Sequence, residues 1–290
     1  DMSGQTAEVY DTTTVTSNSG TVSFDRSVYP VPFKVGDLQT GAAGSGLTDQ
    51  AEAGNVTVTI AISDSDFTSD TLTTSGANAP GTIIVKLIEG STTTTCFTAG
   101  SAVAGGTFDG VMVGATTQEL GPLSETDIGS AVYELEFTVK ESERCGTVHR
   151  TISSGDVLQV EYVDTANDAG VSGTVYDSST FDLRTGSLSI DKDVYVLGSD
   201  VVITLTDPDL NLDGGSIESY ALSMIEWDSD ADSSELMNDT DNFTANPSKL
   251  QETGEDTGVF QSVVTLPTAS LFPDGNPAST AVTIDYGETV

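Results

Sequence analysis

Apolar and polar residues alternate through much of this chain. Val58, Ile60 and Ile62 alternate with Thr57, Thr59 and Ala61. Tyr133, Leu135, Phe137 and Val139 alternate with Glu134, Glu136 and Thr138, and Val282, Ile284 and Tyr286 with Thr283 and Asp285. A period of two sends successive side chains to opposite faces, so each segment reads as a strand with one apolar and one wet face. Antiparallel sheets of a sandwich carry this pattern. β-Branched residues dominate the runs, and Gly, Asp, Asn and Pro interrupt them. No segment holds a helical period over three turns; residues 229–237 read at most as one short helical turn. The expected fold is all-β, two tandem immunoglobulin-like β-sandwich domains.

The pattern also repeats on a longer scale. Residues 6–31, TAEVYDTTTVTSNSGTVSFDRSVYPV, align without a gap on residues 172–197, SGTVYDSSTFDLRTGSLSIDKDVYVL. Three further blocks follow in the same order. Val58 to Asp70 aligns with Val201 to Asp213, Leu123 to Tyr133 with Leu250 to Phe260, and Leu158 to Tyr162 with Val282 to Tyr286. Four ordered blocks mean two copies of one domain. The first copy has insertions around residues 34–55 and 90–118. Strings of similar domains support, space or adhere more often than they catalyse.

The ends of the chain are in phase with each other. After Tyr162 the first copy runs on into a strand-like segment centred on Val175 and Tyr176; the counterpart of that segment is residues 1–15. Thirteen residues separate Tyr162 from Tyr176, and joining Val290 to Asp1 also leaves thirteen between Tyr286 and Tyr10. The expected organisation is therefore residues 1–18 as a strand completing the preceding unit, 19–184 as domain one and 185–290 as domain two. Residues 164–184 supply the last strand of domain one and the connection onward. An unfilled sandwich edge invites a strand from another chain. Residues 5–11 are expected beside residues 281–286 of the neighbouring unit, with Val9, Tyr10, Ile284 and Tyr286 at the interface. Such a head-to-tail contact makes fibres unless it closes into a ring.

Charge narrows the partners. The chain of 290 residues has 45 acidic and 9 basic residues, a formal charge of -36. Nucleic acids and anionic membranes require a positive surface, so both are excluded as partners. Such a charge also repels itself unless cations screen it. Two readings stand together: a salt-adapted surface, and carboxylates gathered around divalent cations. The apolar share of 37% and the alternating strands argue against disorder. No apolar run is long enough to span a membrane. The chain starts at Asp1 without a signal pattern, which reads as a processed or excised piece.

Cys96 and Cys145 lack metal-ligand spacing. An extracellular setting favours a disulfide between them, closing a loop of about 50 residues worth about 4 kcal/mol; two separate buried thiols are the other reading. The strongest chemical signal is TDPDLNLDGGSIE, residues 206–218. Oxygen ligands alternate at Asp207, Asp209, Asn211 and Asp213, with Glu218 at the twelfth place and Glu252 as a further donor. Calcium takes six to eight hard oxygens, and such a loop can wrap one ion; magnesium is the alternative. The loop departs from the helical calcium motif, because Leu212 stands where Gly is wanted and a strand precedes it. The first copy retains Asp64, Asp66 and Asp70 but has Thr68 for the Asn and Ser75 for the Glu, so its site is expected to be weaker. The Asp-Thr-Gly of ETGEDTGVF has no partner Asp in the first copy, where Gly129, Ser130 and Ala131 stand, and reads as a turn rather than a protease dyad. His149, the sole histidine, has no triad or zinc motif around it and reads as a surface residue. Trp227 reads as core. Asn55, Asn238 and Asn242 fit the glycosylation acceptor pattern.

The strings SLSIDKDVYVLGSDVVITLTDPDLNLD, ETGEDTGVF and VTIDY resemble the repeated domains of archaeal surface-layer and related cell-surface proteins, especially those of ammonia-oxidising archaea. The resemblance is strongest over residues 186–213 and 250–286. It implies immunoglobulin-like domains, secretion, acidity, cation binding and assembly into arrays, and no catalysis. The expectation is a non-enzymatic structural protein of an archaeal cell surface, assembling with copies of itself. The alternative is an adhesin or glycan-binding module that uses the insertions of the first copy.

Overall fold

The structure is a computed structural model. It describes residues 17–33, 54–74, 82–102, 108, 111–113, 117–196, 198–229, 232–236 and 244–266. It is all-β and β-sandwich-like; among the described residues the only helical turns are two 3-10 turns, Pro208–Leu210 and Leu222–Met224.

The first unit pairs two sheets. One has the strand order β1 (Thr21–Phe24), β3 (Val56–Ser63), β10 (Val132–Val139), β9 (Leu123–Glu125) and β4 (Thr71–Leu72). The other has the order β2 (Val28–Pro30), β14 (Gly173–Asp182), β13 (Val157–Asp164), β5 (Ile83–Glu89), β6 (Thr92–Ala99), β8 (Thr117–Leu120) and β7 (Val111–Val113). The period-two pattern sets which face is buried. Val58, Ile60 and Phe137 of the first sheet share one core with Val85, Leu87, Val160 and Tyr162 of the second. Their neighbours Thr57, Thr59 and Glu136 point outward, so each strand is apolar on one side only. Strands β6, β7 and β8 come from the insertion of the first copy and widen the second sheet. A hairpin of β11 (Ser142–Cys145) and β12 (Val148–Thr151) is tied to β6 by a Cys96–Cys145 disulfide, with an S–S distance of 2.05 Å.

The second unit repeats the first sheet. Its order is β15 (Ser187–Ile190), β16 (Asp200–Thr206), β21 (Val259–Thr265), β20 (Thr244–Glu252) and β17 (Ser219–Tyr220). By the sequence repeat β15, β16, β21 and β20 are the counterparts of β1, β3, β10 and β9, and β17 holds the place of β4 in the strand order. Its core joins Val201, Ile203, Tyr220, Leu250 and Phe260, with Phe260 edge-on to Tyr220.

One expectation is corrected. Within 229–237 the described residues are strand rather than helical turn: β18 (Glu226–Ser229), which carries Trp227, and β19 (Asp232–Leu236) pair antiparallel. Asp and Ser crowd this stretch, and their side chains compete with helical backbone bonds and favour turns.

Candidate functional site

The repeated acidic residues hold the backbone in matching ways in the two units. Asp25 Oδ1 accepts the Tyr29 hydroxyl and the Thr59 N–H at 2.8 Å. Asp191 Oδ1 accepts the Tyr195 hydroxyl at 2.7 Å and the Val202 N–H at 2.8 Å. Each Asp–Tyr pair latches the chain after the first strand onto the next. Asp64 Oδ1 accepts the Asp66 N–H, and Asp207 Oδ1 the Asp209 N–H, both at 3.0 Å. Asp66 in turn accepts the Asn18 N–H at 3.0 Å, and Asp209 accepts that of Arg184, the counterpart of Asn18, at 2.7 Å. Gly20 and Gly186 leave room for this packing. A Cβ on Gly20 would lie 2.9 Å from Asp64 Oδ2, and one on Gly186 2.7 Å from Asp207 Oδ2. Burial raises the carboxyl of Asp64 even against the Tyr162 hydroxyl, which donates to it at 2.6 Å. Burial raises Asp207 too.

ETGEDTGVF is a turn, and its equivalent recurs in the first unit. Glu252 Oε1 accepts the N–H groups of Thr257 and Gly258, each at 2.8 Å, as Glu125 Oε1 accepts that of Ala131 at 2.9 Å. Gly258 and Ala131 both have positive φ, 60° and 55°. The turn conformation is therefore retained even where an alanine must adopt it.

The expected ligands of the second unit each have protein partners. Asp209 is ion-paired with Arg184 at 3.2 Å. Asn211 accepts the Arg26 guanidinium through its carbonyl at 2.9 Å and its Oδ1 at 3.0 Å. Asp213 accepts the Gly215 N–H and the Ser216 hydroxyl of its own turn. Glu218 and Glu252 are the pair that faces each other. Glu218 is fully buried, and burial, then the Glu252 carboxylate, pushes its carboxyl up to about 8. Burial works to raise Glu252 also, but the hydrogen bonds from Glu218 and from the N–H groups of Gly258 and Thr257 hold it below the ordinary range. Among the described residues no three His, Cys, Asp or Glu side chains gather as a metal group. In the first unit Asp66 and Asp70 are exposed and Asp64 is buried.

Sequence reasoning missed a joint between the units. Arg26 bonds Asn211 as above and lies 3.3 Å from Asp256 Oδ1, which also accepts the Asn211 amide at 2.8 Å. The Thr57 N–H donates to the Leu212 carbonyl at 2.8 Å, and the Leu212 side chain sits in the core of the first unit. A Cβ on Gly214 would lie 2.6 Å from the Arg26 guanidinium. The signal available in the sequence was an arginine in a chain with few basic residues, and a leucine inside an acidic loop.

The first strands of the two units differ in exposure among the described residues. Leu188 and Ile190 on β15 are 53% and 52% exposed, whereas their counterparts Val22 and Phe24 on β1 are 9% and 8% exposed, under β14. Val194 and Val196 beyond them are exposed as well. His149 is exposed on β12, and Asn55 is half-buried before β3. Val9, Tyr10, Ile284, Tyr286, Asn238 and Asn242 lie outside the described residues, as does Ser75. Among the described residues no helix is long and apolar enough to cross a membrane. No protein-family model matches the chain, and no curated protein matches it.

Proposed function

We propose that the protein is a non-enzymatic structural component of an archaeal cell surface, whose copies assemble head-to-tail into a surface layer or extracellular filament. The observation that carries this reading is the apolar strip of β15, exposed at Leu188 and Ile190 among the described residues where its counterpart in the first unit is buried. A row of exposed apolar side chains on an edge strand is a site for another chain. One five-stranded sheet of each unit has the same strand order, which supports the immunoglobulin-like reading and a modular, space-filling role. The repeated carboxylates are engaged with backbone N–H groups, tyrosines and arginines, which supports a scaffold rather than a catalyst. The disulfide supports an extracellular location. Divalent cations, calcium or magnesium, belong to the reading as stabilisers of a chain with charge -36. The converging Glu218 and Glu252 carboxylates are the best-supported ligands for one.

Negative-stain microscopy of the purified protein, with and without calcium, tests this. Filaments or sheets are the expected result, more extensive with calcium. Single particles under both conditions, at concentrations where the charge is screened by salt, would overturn it.

A further inference from the structure

We propose that the joint between the units is a lock: the loop 207–215 of the second unit completes the core of the first, and the two units move as one rigid body. The inference goes beyond the assembly reading and holds for a single chain.

The loop engages the first unit through side chain and backbone together. Leu212 is 1% exposed and belongs to the core cluster of the first unit, not to that of its own. A side chain buried in a close-packed core cannot leave it without opening a cavity. The Leu212 carbonyl accepts the Thr57 N–H at 2.8 Å, so the same residue is held at both ends. The 3-10 turn Pro208–Leu210 lies beside β2 of the first unit. Arg26 closes the joint from the other side. Its side chain is 9% exposed. Its two terminal nitrogens donate to the Asn211 carbonyl at 2.9 Å and to Asn211 Oδ1 at 3.0 Å. Its Nε lies 3.3 Å from Asp256 Oδ1, which accepts the Asn211 amide at 2.8 Å. Arg26, Asn211 and Asp256 thus form a closed ring of contacts. A planar fork fixes direction as well as distance, because two bonds resist the rotation that one allows. A Cβ on Gly214 would lie 2.6 Å from the guanidinium, so the loop packs directly on it. Domains joined by a small polar contact swing about it. A buried leucine and a ring of directional bonds oppose that swing.

The lock is particular to this junction. The sequence repeat places Thr68, Ser69 and Gly129 at the positions of Asn211, Leu212 and Asp256, and Lys192 at the position of Arg26. Serine cannot plug an apolar core, glycine has no carboxylate, and lysine has no planar fork. Lys192 turns instead to Asp191 of its own unit, at 3.2 Å. The residues that lock the two units therefore do not recur at the aligned positions, and the pair is a stiff element built once.

Distances measured between the units test this. The native cysteines form a disulfide and no free thiol is present, so spin labels go only to introduced cysteines. A chain with Glu136→Cys and Ser189→Cys carries labels at exposed positions of β10 and β15, one in each unit. Diluted into unlabelled protein, it reports distances within one chain whether or not copies assemble. Double electron–electron resonance should give one narrow distance peak. Adding Leu212→Ser and Arg26→Lys, the residues of the aligned positions, should replace that peak by a broad distribution while circular dichroism shows the strands retained. Gly214→Ala displaces the guanidinium but removes no core side chain, so it should broaden the peak too, and it decides the matter if the double variant does not fold. A broad or split distribution with the joint unaltered would overturn the lock. A peak that stays narrow in every variant that folds would overturn its assignment to these residues. Neither result bears on head-to-tail assembly, and single particles by microscopy would leave the lock standing.

Discussion

At the scale of residues, many of the described acids act as acceptors for the backbone. Asp191 shows the consequence for pH. The Tyr195 hydroxyl and the Val202 N–H hold its carboxyl down at about 2, against an ordinary value of 3.8. The folded state therefore prefers the ionised form. The stability it contributes is present above pH 3.8 and is lost as pH falls through about 2. An Asp191→Asn protein should melt below wild type at neutral pH, with the gap closing over that acid range. Thermal melting monitored by circular dichroism across the range measures this. A gap that stays constant to the lowest pH would mean that the charge on Asp191 is not what holds the turn.

At the scale of elements, the strands were more legible than the contacts of the loops. Val56–Ser63, Val132–Val139 and Val157–Asp164 bury the residues that alternation predicts, because one face of each meets the core. The strand within 164–184 was legible as well, as β14, Gly173–Asp182. The widening of the second sheet by β6 to β8 was not, because an insertion has no counterpart to compare with. Neither were the backbone hydrogen bonds made within the loop 206–218. Acids two residues apart suggest alternating metal ligands, but the same spacing suits a carboxylate that accepts the N–H two residues on. Asp64, Asp207 and Asp213 all make that bond. Leu212, which looked out of place in a calcium loop, is a plug in the core of the first unit. Leu212→Ala should therefore cost about 2–5 kcal/mol in denaturant unfolding, the usual range for a buried leucine. A loss within about 0.5 kcal/mol, as for surface substitutions, would show that the plug contributes nothing.

At the scale of the molecule, 45 acids against 9 bases leave a field that simple ionic strength screens only beyond the Debye length. Burying one more charge in that field is unfavourable, yet Glu218 is buried facing Glu252. Two carboxyls so placed require either a shared proton or a cation. On the cation reading, calcium should raise the melting temperature more than sodium at equal ionic strength, because binding to the native state alone stabilises by mass action. At ~100 times the dissociation constant the gain is about 2.7 kcal/mol, a shift of several degrees. Asp209 is a poor place to test this, since Arg184 already holds it. Glu218→Gln is the better variant: its amide can donate to Glu252, so the fold keeps a partner there while one ligand charge is lost. That protein should melt at or above the wild-type temperature in the presence of a chelator and should lose most of the calcium-specific rise. Equal rises in both proteins would move the cation to other acids. No difference between calcium and sodium in the wild type would leave the pair as two carboxyls sharing a proton.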